Sequence, residues 1–484
     1  MDSPVQEMRT TSSNRKSLYP KLVPVLFSGI FLILSPFLPT PSGMQEEGLI
    51  TLAILFFAIS LWFTAIIPAA IASLAIITLF PLFDVLSFEE ATSGLGKEVI
   101  YLIIAVLIMG IAVEKSGLDK RLAYTMLLLA KGNTRLIIFY LLAVAFVLTF
   151  IIPNGFGRLT VLLPVATGLI TVMRKESGEN IGKGIMLAIT YAPWVCVAMV
   201  MTASTGAIYA ASLFDTVLGF NWSYLHWLIV MLPVSLLSLF CLWLIILWLY
   251  PPSSRESKEG AAFSLEEKKK LGPMSAAEKK VLLLYAILIS LWMTKELHQF
   301  SIALSAVLVV IFLFIPGIQL ITWKEAKREV DWGVPLIFAT GFTLAYAFEK
   351  SGVVTWLAEQ GNNILNDLPA FLLALSLMVI FVIIRLGFIN FAAMVASLMP
   401  VALTFAKNTA YNPVWLGMIC VVASSLSFLF PSQSIGNMTT FSLGYYTSQD
   451  MFKVGGLLTL SIIFITLLLA FIYWPLVDLP ILAN

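Results

Sequence analysis

Histidine and cysteine are almost missing from this chain, with two of the first and three of the second in 484 residues. His226 and His298 stand far apart near the ends of apolar segments, so sequence neighbours offer no clustered metal site. Cys196, Cys241 and Cys420 each sit singly inside apolar runs, which leaves no disulfide framework and no C-x-x-C motif; they read as buried bystander thiols. Charge is scarce too. Only 12% of residues are charged, against roughly 25% in an ordinary soluble domain. A membrane enzyme would need buried acids, histidines or a metal cluster facing one cavity, and these absences argue against enzymatic chemistry. No basic tract suited to nucleic acid is present, and the net charge of +2 singles out no partner.

What fills the space is apolar: 60% of the chain is hydrophobic, in runs near the length a helix needs to cross a bilayer. The expected fold is an all-α polytopic membrane protein. A basic tail (Arg9, Arg15, Lys16, Lys21) precedes a first run, Leu22–Leu38, punctuated by Pro24 and Pro36 and read as an uncleaved span. Gly48–Ile67, Ala69–Leu82, Val99–Val113 and an amphipathic piece, Asp119–Lys131, follow. Leu136–Ile152 then leads into IIPNGFGRLTVLLP, Ile151–Pro164, where proline and glycine should unwind the backbone. Unwound backbone at membrane depth belongs where protein or a watery cavity surrounds it, so this stretch is expected to be the tip of a re-entrant hairpin lining a solute site. Gly184–Phe214 is broken by Thr202-Ala203-Ser204-Thr205-Gly206, and Leu225–Tyr250 closes the first half. Residues 251–280 form the one long hydrophilic segment, read as a solvated cytoplasmic linker with a surface helix at Leu265–Leu271. The second half repeats the plan, including an amphipathic Val353–Ile364 and a broken tip after Phe371–Leu386.

The repeat is explicit in the residues. Glu114-Lys115-Ser116-Gly117 recurs 235 residues later as Glu349-Lys350-Ser351-Gly352. Asn154 maps to Asn390 and Leu163-Pro164-Val165-Ala166 to Met399-Pro400-Val401-Ala402, both 236 residues on. The polar break maps to Ser432-Gln433-Ser434-Ile435-Gly436 at an offset of 230. Five crossings per half, an odd number, invert the second half relative to the first, an architecture of secondary transporters. The expected layout is two inverted repeats of five spans, each with a re-entrant hairpin, plus an extra N-terminal span. Its divisions are 1–47, 48–250, 251–280 and 281–484. With the N-terminus cytoplasmic and the C-terminus outside, 23 of the 29 Lys and Arg fall on cytoplasmic segments. Four fall outside and two, Arg158 and Arg385, within hairpins, as the positive-inside rule requires of a multi-pass plasma-membrane protein.

The broken places supply the candidate chemistry. Asn154, Asn390, Ser204, Ser432 and the bare carbonyls at Gly206 and Gly436 are oxygen donors of the kind a sodium ion takes at discontinuous helices. Asn154, Gly155, Arg158, Thr205, Asn390, Phe391 and Ser434 are the candidate contacts to a small anionic solute. For the two asparagines the alternative is a helix cap beside the turn. Arg158 carries a fork suited to carboxylate, sulfate or phosphate, and an arginine at membrane depth costs at least ~2.5–3.5 kcal/mol unless it faces a cavity or a partner. Its alternative is snorkelling to an interface or bonding to backbone carbonyls. No Asp or Glu lies in a hairpin or break, which disfavours proton coupling, although Glu114 and Glu349 near helix ends keep it open.

At Leu271–Trp292, Ile111–Leu118 and the hairpin-plus-LLPVA pattern the chain resembles the divalent anion:sodium symporter family, dicarboxylate and sulfate carriers of the ion transporter superfamily. The resemblance spans roughly residues 20–475. It implies inverted repeats, two hairpins, sodium as coupling ion, an elevator movement and a homodimer. In that family each hairpin tip carries Ser-Asn-Thr; here the triplets are Pro153-Asn154-Gly155 and Ile389-Asn390-Phe391, which keep both asparagines and lose all four hydroxyls. The functional expectation is a secondary active transporter of a small carboxylate- or sulfate-like anion, with no cofactor beyond sodium. An exchanger, a proton-coupled carrier and an anion channel are the alternatives.

Overall fold

Helices dominate because in lipid every backbone N–H and C=O must be satisfied within the chain. The structure, a computed structural model, describes residues 22–357 and 368–482, and among them no β-strand occurs. The first part comprises α1 (Leu22–Phe37), α2 (Glu46–Thr64), α3 (Ala69–Leu82), α4 (Phe88–Thr92), α5 (Glu98–Ser116), α6 (Leu118–Leu127), α7 (Thr134–Leu148), α8 (Gly155–Ser177), α9 (Glu179–Val195), α10 (Thr205–Leu218) and α11 (Tyr224–Leu249). After α12 (Lys258–Lys270) come α13 (Ala276–Met293), α14 (Lys295–His298), α15 (Ile302–Phe312), α16 (Trp323–Glu329) and α17 (Gly333–Lys350). Then follow α18 (Ala370–Arg385), α19 (Phe391–Lys407), α20 (Pro413–Ser425), α21 (Ile435–Ser442) and α22 (Ser448–Ile472).

The order of elements runs twice. A short capped helix (α4, α16) precedes a buried one (α5, α17), a helical hairpin (α7–α8, α18–α19) follows, and then a broken helix (α9–α10, α20–α21) and a long final one (α11, α22). The two series interlock. Helix α10 packs on α17 and α19, α21 packs on α8 and α9, and α11 lies along α22. The amphipathic piece expected at Val353–Ile364 lies mostly outside the described residues.

Three sequence expectations are revised. Unwinding at the first hairpin is confined to a few residues ending at Asn154; Phe156–Pro164 is already helical, with Pro164 inside α8. Asn154 caps that helix, so the run of Gly, Phe and Gly behind it winds normally. The break after α9 opens earlier than the polar patch suggests, at Cys196. Pro193 just before it weakens the helix there, because it supplies no N–H to continue the ladder. The hydrophilic segment does not hang free: α12 packs on α6 and α8, with Phe263 against the ring of Tyr124 and Gly260 under Met173.

Among the described residues five helices are long and apolar enough to cross a membrane singly, or six if the bent pair α16–α17 is one span. The eleven expected spans include helices of 10–17 residues such as α3, α10 and α15. At 1.5 Å per residue these fall short of a hydrocarbon core about 30 Å thick. For α10 the shortening follows from the break after α9, which divides one apolar run into two half-helices.

Candidate functional site

Both hairpins turn into their second helix in the same way. Asn154 is extended (φ −141°, ψ 125°) and its side-chain oxygen accepts the Phe156 N–H at 3.0 Å; Asn390 accepts the Ala392 N–H at 2.9 Å. The two asparagines therefore do cap helices, and both remain exposed to whatever enters beside them. Tyr285 of α13 donates its hydroxyl to the Ile151 carbonyl at 2.6 Å, tying down the first turn. Pro153 rests on Gly110 of α5, where a Cβ would lie 3.3 Å from the proline ring.

Each break meets the hairpin of the opposite half. Gly206, at the start of α10, lies under the ring of Phe391, which is 7% exposed. Gly155 and Gly436 both face the indole of Trp194: Cβ atoms added there would stand 3.2 Å from its ring and 3.0 Å from its Nε1. A side chain at these positions would press on these rings, most closely at Gly206, where a Cβ would stand 2.4 Å from the Phe391 ring. Of the residues singled out from sequence, the fold thus brings Gly206 to Phe391 and sets Gly155 and Gly436 against the same indole. Ser204 and Ser434 cap α10 and α21, accepting from Ala207 N at 3.1 Å and Asn437 N at 3.0 Å. Thr205 follows Ser204 half-buried at the first position of α10, while Ser432 is exposed in the second break.

The arginines do not open into a cavity. Arg158 is fully buried and donates Nη2 to the Pro193 carbonyl at 2.8 Å and Nη1 to the Ala203 carbonyl at 3.3 Å. Arg385, equally buried, donates to the Phe388 carbonyl in its own hairpin turn. Carbonyl bonding, the alternative weighed from sequence, is what the guanidinium groups do here; the fork expected to face an anion is occupied by backbone.

Two cavities flank this core. One of about 340 Å³ is bounded by Asn154, Gly157, Glu114, Glu329 and Asp331. Another of about 310 Å³ lies between α17 and α19, with Lys97, Lys407, Tyr346 and Glu349 on its walls. The first mouth is acidic and the second carries two lysines. Sequence reading missed Trp194 and the acids Glu329 and Asp331. Trp194 had one signal, its place beside Pro193 at the end of an apolar run.

The chain is 26% identical over 457 residues to a Cupriavidus necator protein called only a membrane protein, covering 90% of this chain and 89% of that one. It is 24% identical over 487 residues to the sodium-dependent dicarboxylate transporter SdcS of Staphylococcus saprophyticus, covering 95% and 93%. The solved structure of MtrF from Neisseria gonorrhoeae, described within a class of antimetabolite efflux pumps, superposes with a TM-score of 0.58 at 13% identity over 95% of this chain and 97% of that one, a likeness of fold. The model of the sodium:sulfate symporter transmembrane region matches residues 17–479, nearly the whole length, and the chain belongs to that family of membrane transporters.

Proposed function

We propose that this protein is a secondary active transporter that carries a small carboxylate- or sulfate-like anion through the plasma membrane with sodium as the coupling ion. The observation that carries the reading is the crossed packing of breaks on hairpins: Gly206 under Phe391 and Gly436 against Leu159 of α8 gather two capped turns and two unwound segments into one core. A solute held there touches backbone and side chains from both halves, so a shift of that core carries it as a unit. The sodium-dependent dicarboxylate relatives support both the anion class and the ion.

In this reading the halves are inverted repeats, 48–250 and 281–484, joined through 251–280 and preceded by 1–47. The N-terminus is cytoplasmic, the C-terminus lies outside, and the protein works as a homodimer by an elevator movement. Asn154, Gly155, Thr205, Asn390, Phe391 and Ser434 meet the anion, and Arg158 adds positive potential from behind the first break. The lysine-lined cavity favours an approaching anion, and the acidic one beside Asn154 favours a cation.

Uptake of radiolabelled sulfate, succinate and citrate into proteoliposomes tests this. Accumulation of at least one under an inward sodium gradient, lost with choline in place of sodium, is the expected result. Failure of all three to accumulate under any gradient rejects transport of this anion class.

A further inference from the structure

The two cavities beside the core are repeat partners. Leu107, Gly110, Ile111 and Glu114 of α5 line the acidic one, and Phe342, Ala345, Tyr346 and Glu349 of α17 line the other. Each residue of the first set has its counterpart 235 positions on, the offset of the Glu-Lys-Ser-Gly repeat. Spacing of i, i+3, i+4 and i+7 puts the four on one side of a helix. The same face of the equivalent helix thus borders a cavity in each half, with a glutamate at the same place, and the charges gathered around that glutamate are opposite.

Glu114 has Glu329 and Asp331 for company, and no basic side chain lines that cavity. Glu329 is paired with the exposed Arg328 at 2.5 Å. Asp331 accepts the Gly333 N–H at 3.0 Å, and among the described residues neither it nor Glu114 forms an ion pair. These acids reach the first hairpin: Asn154 and Gly157 form another wall, and Glu114 Oε1 lies 3.3 Å from the place of a Gly157 Cβ. Glu349 instead faces a cavity that also holds Lys97 and Lys407, and among the described residues neither lysine is ion-paired. Lys97 precedes α5, and Lys407 ends α19, about 24 Å along that helix from Phe391. With the N-terminus cytoplasmic, α5 runs inward from Lys97, so the lysines stand at the outer side and Glu114 at the inner one. Charge lining a cleft with low-dielectric walls raises or lowers the local concentration of a charged solute.

We propose that these repeat-related cavities are the outer and inner mouths of one solute path, and that their opposed charge gives the anion a higher affinity from outside than from the cytoplasm. Lys97 and Lys407 gather the anion at the outer mouth. Glu114 and Asp331 repel it at the inner one, so an anion released beside the first hairpin returns poorly. The inference rests on the transport reading above and adds to it the sidedness of affinity and the residues that set it.

Right-side-out and inside-out membrane vesicles, with equal sodium on both sides, test this with whichever of radiolabelled sulfate, succinate and citrate accumulates. Half-saturation should come at a concentration at least threefold lower from the outer face than from the inner face of the wild type. Lys97→Gln/Lys407→Gln should raise the outer value about fivefold and leave the inner one alone, and Glu114→Gln/Asp331→Asn should lower only the inner one. Both shifts should fade near 1 M salt, where the Debye length falls to about 3 Å. An impermeant maleimide should label Glu349→Cys from outside only and Glu114→Cys from inside only, above the wild-type background. Equal half-saturation on the two faces, a double variant that shifts both faces or neither, or labelling of both cysteines from one side overturns the proposal while transport stands. Absence of uptake of all three anions rejects the transport reading, and this inference with it.

Discussion

Lys115 meets Glu325 at 2.6 Å, and the same pairing recurs 235 residues away with the halves exchanged, where Lys350 meets Glu90 at 2.6 Å. Each lysine ends the buried helix of one half, and each glutamate is the third residue of a capping box, Ser87–Glu90 or Thr322–Glu325, in the other. The repeat is therefore stitched to itself twice, by a pair that also finishes a helix start.

Those two pairs set a pH window. Lys350 holds the Glu90 carboxyl down to about 2, and Lys115 with Thr322 holds Glu325 there as well, from an ordinary 4.5. A depressed carboxyl contributes its stability above the unfolded value and loses it as pH falls through the folded one. The difference in melting temperature between wild type and Glu90→Gln/Glu325→Gln should be constant from pH 8 to 5 and shrink between 4.5 and 2. The pairs are exposed, so the difference itself should be small. Thermal scans across pH check this, and a difference that vanishes by pH 6 contradicts it.

Arg121 of α6 holds the C-terminal end of the long connection. It grips Glu278 with Nε at 2.6 Å and Nη2 at 3.1 Å and also donates to the carbonyls of Leu271, Gly272 and Pro273. Both side chains are largely buried, so Arg121→Ala strands a carboxylate and should cost about 3–5 kcal/mol. Arg121→Lys cannot restore the two-pronged geometry and should recover only part. Detergent thermal unfolding with expression yield reads this out.

Phe391 and Gly206 should behave as one unit. Phe391→Ala empties a buried site and should cost ~3–5 kcal/mol. Gly206→Ala forces the ring aside and should lower melting temperature by itself. The pair Gly206→Ala with Phe391→Leu should be less damaging than the sum of its parts, since the smaller side chain yields the room. A double-mutant cycle on unfolding that gives strict additivity rejects the coupling.

For the asparagines, capping and solute contact separate by substitution. Asn154→Ala and Asn390→Ala each remove a cap worth about 1 kcal/mol. Asn154→Asp keeps an acceptor for Phe156 N–H but adds negative charge where an anion should bind. The aspartate variant should therefore melt near wild type while its uptake KM for sulfate or succinate rises at least tenfold. Unchanged KM would confine Asn154 to capping.

Particular residues make much of the fold legible in the sequence. The Glu-Lys-Ser-Gly repeat and the paired asparagines locate two equivalent hairpins, because proline and glycine inside an apolar run interrupt the helical hydrogen-bond ladder at a definite place. The S-x-x-E and T-x-x-E patterns at Ser87 and Thr322 are also recognisable as helix starts. Their lysine partners are not, since each lies in the other half. Arg158 reads as a buried charge needing a partner, but whether that partner is solute or carbonyl depends on where the α9–α10 break falls.

Sequence alone determined the class and the periodicity: sparse charge and recurring apolar runs admit only a helical membrane chain, and local breakers place its interruptions. Tertiary structure alone decided which interruptions meet. Crossing α10 onto the second hairpin and α21 onto the first brings together residues some 185 to 280 positions apart, as with Gly206 and Phe391 or Leu159 and Gly436. Local propensity acts over a few residues, whereas the partner of an unwound carbonyl is set by packing between distant helices.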